Sequence, residues 1–202
     1  MKYIFNFENR EKPLQFNREK LLLSALQDPE QLYYMMDTQF EGIYQAEAVE
    51  RKRLYGSNSY KGIVKQSKFK WWPDRKADTL KVLAQMEEQK ISVFRKGAHF
   101  YAEIDAEDLV PGDVIFISEG DIIPADLRII FSKDLVVDQR LYTGETATVT
   151  KGTVFRNVKL TSEPLMCLPN ICFAGTEVVG GLARGVVVAT GKSTYLYHLL
   201  LM

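Results

Sequence analysis

The spacing of apolar residues divides the chain into a helical first part and a strand-rich second part, with the change near residue 90. Up to that point apolar residues recur at helical spacing. From residue 91 onward, short runs of β-branched and aromatic residues alternate with turns rich in Gly, Pro and Asp. The pattern predicts an α+β fold that is mainly β, with a helical N-terminal segment.

Three stretches in the first part have the composition of helices: residues 19–27, 41–55 and 76–89. The face expected to be buried in the second stretch consists of Ile43, Ala46, Val49 and Leu54. Gly56 follows as a C-terminal stop signal. Residues 56–75 are basic, turn-rich and aperiodic, which predicts a linker. We therefore divide the chain into residues 1–75, a helical segment with a linker, and residues 76–202, the main domain.

The second part contains many short strand candidates: residues 91–95, 100–104, 114–117, 127–130, 135–137, 172–178 and 185–190. The first two flank a turn at Lys96-Gly97 and form a hairpin-like pair. Short strands separated by tight turns are typical of a β-sandwich or jelly roll.

Composition narrows the possible functions. Apolar residues make up 46% of the 202 residues, enough for a real core, and 26 Lys and Arg balance 26 Asp and Glu. The chain has no excess of positive charge that would favour binding to nucleic acid, so we expect no nucleic-acid partner. The sequence shows no signal peptide and no apolar run of about 18 residues, so we expect the chain to be soluble. Cys167 and Cys172 lack metal-ligand spacing and are expected to be ordinary thiols in a reducing compartment.

The stretch 110–151 carries a series of turn motifs. It contains Pro111-Gly112-Asp113, then Gly120-Asp121 before Pro124-Ala125-Asp126, and finally Thr143-Gly144-Glu145-Thr146. The last motif places a carboxylate on a tight turn between two hydroxyls, and Gly144 allows the backbone to approach another surface closely. In an arbitrary protein, a glutamate on such a turn is usually only solvated.

Taken together, these motifs resemble the actuator-domain signature of P-type ATPases: a PGD turn, a GD-x-x-PAD-x-R segment and a TGE loop. Residues 170–194 are similar to the family's GT-x-V-x-x-G and V-x-x-TG-x-x-T elements, and residues 42–58 are more weakly similar to a helix that precedes the first membrane span. Short similarities at 125–128, 132–135 and 192–195 favour the bacterial magnesium-transporting branch, with calcium-type pumps next. Residues 1–40 show no such match.

The resemblance implies a distorted jelly-roll fold and a role in hydrolysing an aspartyl phosphate. Glu145 would orient a water molecule and take its proton, and Gly144 would let the loop reach the phosphorylation site. Thr143 and Thr146 would fix the loop or bond the phosphate region. The implied partners are the phosphorylation domain, the nucleotide-binding domain and the membrane helices of the same pump, at the cytoplasmic face of the plasma membrane. ATP and Mg²⁺ would serve the intact pump, and no cofactor is expected in this chain.

Departures from the family pattern leave a second function open. Thr146 replaces the usual Ser, while Arg140 and Tyr142 replace a small polar and an apolar residue. The sequence has no DKTGT, KGAP or TGDGxND motif, so the isolated chain is expected to be inactive. Two membrane helices are also absent between the elements at 42–58 and 76–83, where only a linker with Trp71-Trp72 lies. The alternative is a standalone regulatory or binding β-domain derived from such a pump, against which the retained Gly144-Glu145 argues.

Two further stretches invite other interpretations. Gly191-Lys192-Ser193 resembles the end of a P-loop, but Val186 occupies the position of the required first glycine. We therefore expect no nucleotide site there. The apolar stretch 195–202 is expected to be an exposed stub that leads toward a membrane helix.

Overall fold

The computed structural model describes residues 15–63, 76–97, 101–146, 148–154 and 164–202. The helices are α1 (Arg18–Leu26), α2 (Pro29–Met36), α3 (Gln45–Tyr55), α4 (Lys76–Glu88), α5 (Arg140–Thr143) and α6 (Tyr195–Leu201). The three predicted helices are confirmed, with α3 beginning four residues later than expected. The side chains of Asn17 and Asp28 cap α1 and α2 by accepting backbone N–H groups.

The strands are β1 (Lys90–Phe94), β2 (Ala102–Asp105), β3 (Val114–Ser118), β4 (Asp126–Asp138), β5 (Thr148–Thr150), β6 (Ile171–Cys172) and β7 (Glu177–Ala189). Within the described residues they form one antiparallel sheet in the order β2-β1-β3-β7-β4-β5, and β6 pairs with β4. The prediction of a mainly β, α+β fold with a helical N-terminal segment is confirmed. The irregular antiparallel sheet agrees with the expected distorted jelly roll.

Strands β4 and β7 form the longest pair in the sheet, and their boundaries correct the prediction. The separate strands expected at 127–130 and 135–137 are one strand, because Asp134 adopts a left-handed conformation, with a φ of 52°, where the register with β7 shifts. The single strand expected at 172–178 is instead β6, a turn and the start of β7. Gly175, with a φ of 81°, permits that turn.

Buried apolar side chains form clusters that join the helices to the sheet. The cluster that contains Val93, Ile115, Leu127 and Val187 draws mainly on the strands. A second cluster packs α1 and α2 against the sheet and contains Leu21, Ala25, Leu32, Met36, Phe173 and Val186. The described residues on either side of position 75 thus share one core, and the division at that position stays a prediction.

The predicted buried face of α3 is largely wrong, although Ile43, just before the helix, is buried. Ala46 is exposed, and Val49 and Leu54 are 43% and 42% exposed, whereas Ala48 and Arg51 face the protein. Arg51 determines this orientation, because its guanidinium nitrogen donates hydrogen bonds to the carbonyl oxygens of Met36 and Pro111, each at 2.8 Å. Buried carbonyl groups need such partners.

The expectation for the C-terminal stretch is also largely wrong. Residues 195–201 form α6, in which Leu196 and Leu200 are buried, and the exposed apolar side chains are Leu201 and Met202 at its end. Cys172 is buried in β6, Cys167 is exposed, and both are free thiols. Trp71, Trp72 and the start of the predicted strand 100–104 lie outside the described residues.

No helix in the described part of the chain is long and apolar enough to cross a membrane. The same residues contain no group of three or more His, Cys, Asp or Glu side chains that would hold a metal ion.

Candidate functional site

The four candidate residues Thr143 to Thr146 are exposed: Thr143 is the last residue of the single helical turn α5, and the other three lie on the loop that follows it. This turn follows the end of the long strand β4 at Asp138. Gly144 ends it in the left-handed conformation with a φ of 80°, and its N–H group donates to the carbonyl oxygen of Arg140 at 2.9 Å. A side chain at this position would be strained, which explains the glycine.

Thr143 shapes the loop from within. Its hydroxyl oxygen accepts a hydrogen bond from the N–H group of Glu145 at 3.2 Å. The same hydroxyl lies 3.3 Å from the carbonyl oxygens of Gln139 and Glu145. The side chains of Glu145 and Thr146 are exposed, so the carboxylate is available to another molecule or domain.

An ion pair fixes the start of the turn. The carboxylate of Asp138 accepts from the backbone N–H and the guanidinium group of Arg140, each at 2.7 Å. Arg140, which departs from the family pattern, therefore contributes to the geometry of the turn instead of disturbing it.

Tyr142 anchors the turn to the body of the domain. Its hydroxyl donates to the carbonyl oxygen of Ala174 at 2.6 Å. Its ring lies parallel to that of Tyr195, with an interplanar angle of 1° and centroids 5.7 Å apart. Burial raises the pKa of the Tyr142 hydroxyl well above its ordinary value, so the group remains a donor.

Asp126 holds the two residues that Tyr142 contacts, Ala174 and Tyr195. Its two carboxylate oxygens accept from the N–H groups of Ala174 at 3.0 Å and Tyr195 at 2.8 Å. Burial raises the pKa of Asp126 to about 7, because the hydrogen bonds only partly offset desolvation. The sequence identified this aspartate as part of a motif but gave no sign of its link to the loop.

Gly175 brings the backbone against α5. A Cβ atom at this position would lie 2.7 Å from a methyl carbon of Leu141, 3.1 Å from one of Leu196 and 3.4 Å from one of Val82. Position 175 therefore requires glycine, because a larger residue there would collide with the helical turn that carries the loop.

The chain after the loop is fixed by a buried lysine. The ammonium group of Lys151 donates to the carbonyl oxygens of Met166 at 3.0 Å and Leu168 at 2.7 Å. Gln139, which precedes α5, directs its amide nitrogen to the same Met166 oxygen at 3.4 Å. Burial lowers the pKa of Lys151 to about 8. Both ends of the loop are thus connected to one segment of backbone.

A cleft of about 510 Å³ opens beside the loop, between α4 and the start of β7. Its polar lining includes Asp78, Lys81, Gln85, Arg140 and Glu177. The lining is mixed in charge, so it favours no single charged ligand.

The P-loop-like tripeptide does not form a phosphate cradle. Residues Gly191–Ser193 form a 3₁₀ turn, and the N–H group of Gly191 donates to the side-chain oxygen of Asn58 at 2.8 Å. The N–H groups of Ser193 and Thr194 donate to the carbonyl oxygens of Thr190 and Gly191. Because these amides are already used within the protein, the residues do not fit a nucleotide phosphate.

Comparison with known proteins identifies similar chains. A family model described as the P-type ATPase actuator domain matches residues 85–201. Proteins called "Magnesium-transporting ATPase, P-type 1" from Escherichia coli (strain K12) and Salmonella typhimurium (strain LT2) are 42% and 41% identical over 124 residues. That segment is 61% of this chain and only 14% of each relative. A zinc-transporting PIB-type ATPase in an E2.Pi state has a TM-score of 0.44 and 21% identity, covering 59% of this chain and 17% of its own.

Proposed function

Because this chain belongs to the P-type ATPase actuator-domain family, we propose that its Thr143–Thr146 loop promotes hydrolysis of an aspartyl phosphate on another domain of the same pump. The observation that carries the proposal is the position of Glu145. It is exposed on a loop whose backbone is held at both ends, beside a glycine in the left-handed conformation. A carboxylate that must reach a partner needs this combination of exposure and fixed support.

The chemistry assigned to Glu145 is that of a general base. Its carboxylate accepts a hydrogen bond from a water molecule and orients the water oxygen toward the phosphorus atom. As the oxygen–phosphorus bond forms, the bond from phosphorus to the aspartyl oxygen breaks, and the water proton passes to Glu145. The products are inorganic phosphate and a free aspartate.

The neighbouring residues have supporting roles in this proposal. Gly144 presents no side chain, so the loop can approach the phosphorylated aspartate without a steric clash. Thr143 keeps the peptide of Glu145 in place through the hydrogen bond described above. Thr146 presents its exposed hydroxyl to the region of the phosphate.

The intact protein is proposed to be an ATP-driven cation pump with Mg²⁺ as the transported ion. The names of the relatives support the ion, although this chain matches only a small share of their length. The partners would be the phosphorylation domain, the nucleotide-binding domain and the membrane helices of the pump, and this domain would lie on the cytoplasmic side. Docking of the loop only after ion release would couple hydrolysis to transport by a rigid-body movement.

The test uses a hybrid pump in which residues 85–201 of this chain replace the matching segment of a magnesium-transporting relative. The hybrid, Glu145→Gln and Glu119→Gln are phosphorylated with ATP, and the amount and lifetime of the phosphoenzyme are measured. Glu119 is a matched control, because it is also an exposed glutamate on a turn. We expect the same amount of phosphoenzyme in all three and a decay about 100- to 10,000-fold slower in Glu145→Gln alone.

Equal lifetimes in Glu145→Gln and the unmodified hybrid would contradict the proposal. A long-lived phosphoenzyme in the unmodified hybrid would also contradict it, because the transplanted loop would then lack the proposed activity.

A further inference from the structure

Tyr142 departs from the family pattern and stands immediately before the loop, with only Thr143 and Gly144 between it and Glu145. Its phenol hydroxyl and its ring contact different parts of the domain. The hydroxyl binds the carbonyl oxygen of Ala174, and the ring stacks on Tyr195 at the start of α6.

The two contacts belong to one closed network. Ala174 accepts from Tyr142 through its carbonyl group and donates to Asp126 through its N–H group. The other oxygen of Asp126 accepts from the N–H group of Tyr195. The network therefore links the turn that carries Glu145 to the turn before β7 and to the first residue of α6.

The helical turn α5 cannot fix its own orientation. It has four residues, and one hydrogen-bonded turn is marginal without side-chain anchors. The side chain of Leu141 packs closely against Gly175 and provides an apolar anchor. Hydrogen bonds of Asp138 with Arg140 hold the start of the turn, and the hydroxyl of Tyr142 adds a directional anchor nearer to Glu145, because its short bond to a carbonyl group restricts rotation of the turn.

We propose that Tyr142 is a positioning residue for Glu145: its hydroxyl, through Ala174, holds the loop in the orientation required for phosphoenzyme hydrolysis. The proposal rests on the function proposed above. Tyr142 does not touch the reacting atoms. Its effect follows from geometry, because a misplacement of about 1 Å in a reacting group can reduce a rate about 100-fold.

The experiment compares Tyr142→Phe and Tyr142→Leu with Glu145→Gln in the hybrid pump. Tyr142→Phe keeps the ring and removes only the hydroxyl, and Tyr142→Leu supplies the apolar residue type usual in the family. Tyr101→Phe is the matched control, because it removes a hydroxyl from a side chain that is 58% exposed. Formation and decay of the phosphoenzyme are measured separately, and thermal unfolding is followed in the 202-residue chain.

We expect Tyr142→Phe to slow phosphoenzyme decay about 10- to 100-fold while the rate of formation from ATP stays unchanged. Tyr142→Leu should slow decay at least as much, and Tyr101→Phe should behave as the unmodified hybrid. A slower decay of the phosphoenzyme with an unchanged rate of formation distinguishes a positioning role from general destabilisation.

Several results would overturn the inference. If Tyr142→Phe decays at the unmodified rate while Glu145→Gln is slow, the proposed function stands and the positioning role is wrong. If Tyr142→Phe reduces formation and decay in proportion to a fall in melting temperature, Tyr142 is only structural. If Glu145→Gln itself has no effect, the proposed function fails, and the inference that depends on it fails too.

Discussion

Replacing Gly175 with Ala tests the close approach between the loop-bearing turn and the rest of the domain. The new methyl group would enter a left-handed backbone position, which costs about 1–2 kcal/mol. It would also lie 2.7 Å from Leu141 and 3.1 Å from Leu196, and overpacking of this kind typically costs about 1–3 kcal/mol. We therefore expect the free energy of unfolding to fall by about 2–5 kcal/mol.

The effect can be measured by thermal and urea unfolding of the 202-residue chain. At about 2–4 °C per kcal/mol for a chain of this size, the melting temperature of Gly175→Ala should fall by about 4–20 °C. Gly120→Ala is the control, because Gly120 has a φ of 93° but nothing within 4 Å of an added Cβ atom. The unfolding free energy of Gly120→Ala should fall by only about 1–2 kcal/mol, the cost of the strained backbone alone. Equal losses in the two variants would refute the steric contact between Gly175 and the loop-bearing turn.

Three other outcomes are expected. Because burial raises the pKa of Asp126 from 3.8 to about 7, its contribution to stability should fall by about 4 kcal/mol as pH rises from about 4 to 7. Urea unfolding at several pH values should show this slope, and its persistence in Asp126→Asn would rule out Asp126 as the cause. Glu145→Gln should change the unfolding free energy of the chain by no more than about 0.5 kcal/mol, since the side chain is exposed; a larger loss in urea would indicate a structural role. Calorimetric titration with Mg-ATP should show no binding, because the N–H groups of Gly191, Ser193 and Thr194 are already used within the protein, and a micromolar Kd would contradict this.

Local signals in the sequence predicted the elements that depend on local physics. Composition and spacing identified α1 and α4, and the Pro-Gly-Asp and Gly-Asp turns separated β3 from its neighbours. Helix α2 was not predicted: the first predicted helix ends at residue 27, just before Asp28-Pro29, and no second helix was expected directly after it. In the structure Asp28 caps α2 and Pro29 is its first residue, a position where proline costs no hydrogen bond.

Tertiary contacts explain the remaining differences. The orientation of α3 follows from Arg51, whose carbonyl partner at Pro111 is 60 residues away along the chain. Nothing in the apolar spacing of α3 reveals that contact. The continuity of β4 depends on a residue, Asp134, that accepts a left-handed conformation without being glycine.

The same distinction between local signals and tertiary contacts applies to the candidate site. The loop residues were identified by a sequence motif, and their exposure agrees with the expectation that they reach a partner. The anchors beneath them were not predicted, because Asp126 contacts residues 48 and 69 positions away. Tyr142 was noted only as a departure from a pattern, and the role proposed for it rests on its contact with Ala174.

The most direct test of the proposed function is the rate constant for loss of labelled phosphate from the hybrid pump after phosphorylation is stopped. The amount of phosphoenzyme at the start is recorded in the same samples, so that formation and hydrolysis are separated. We predict equal starting amounts and a rate constant about 100- to 10,000-fold lower in Glu145→Gln than in the unmodified hybrid or Glu119→Gln. Identical rate constants in all three would show that the Glu145 carboxylate does not promote hydrolysis.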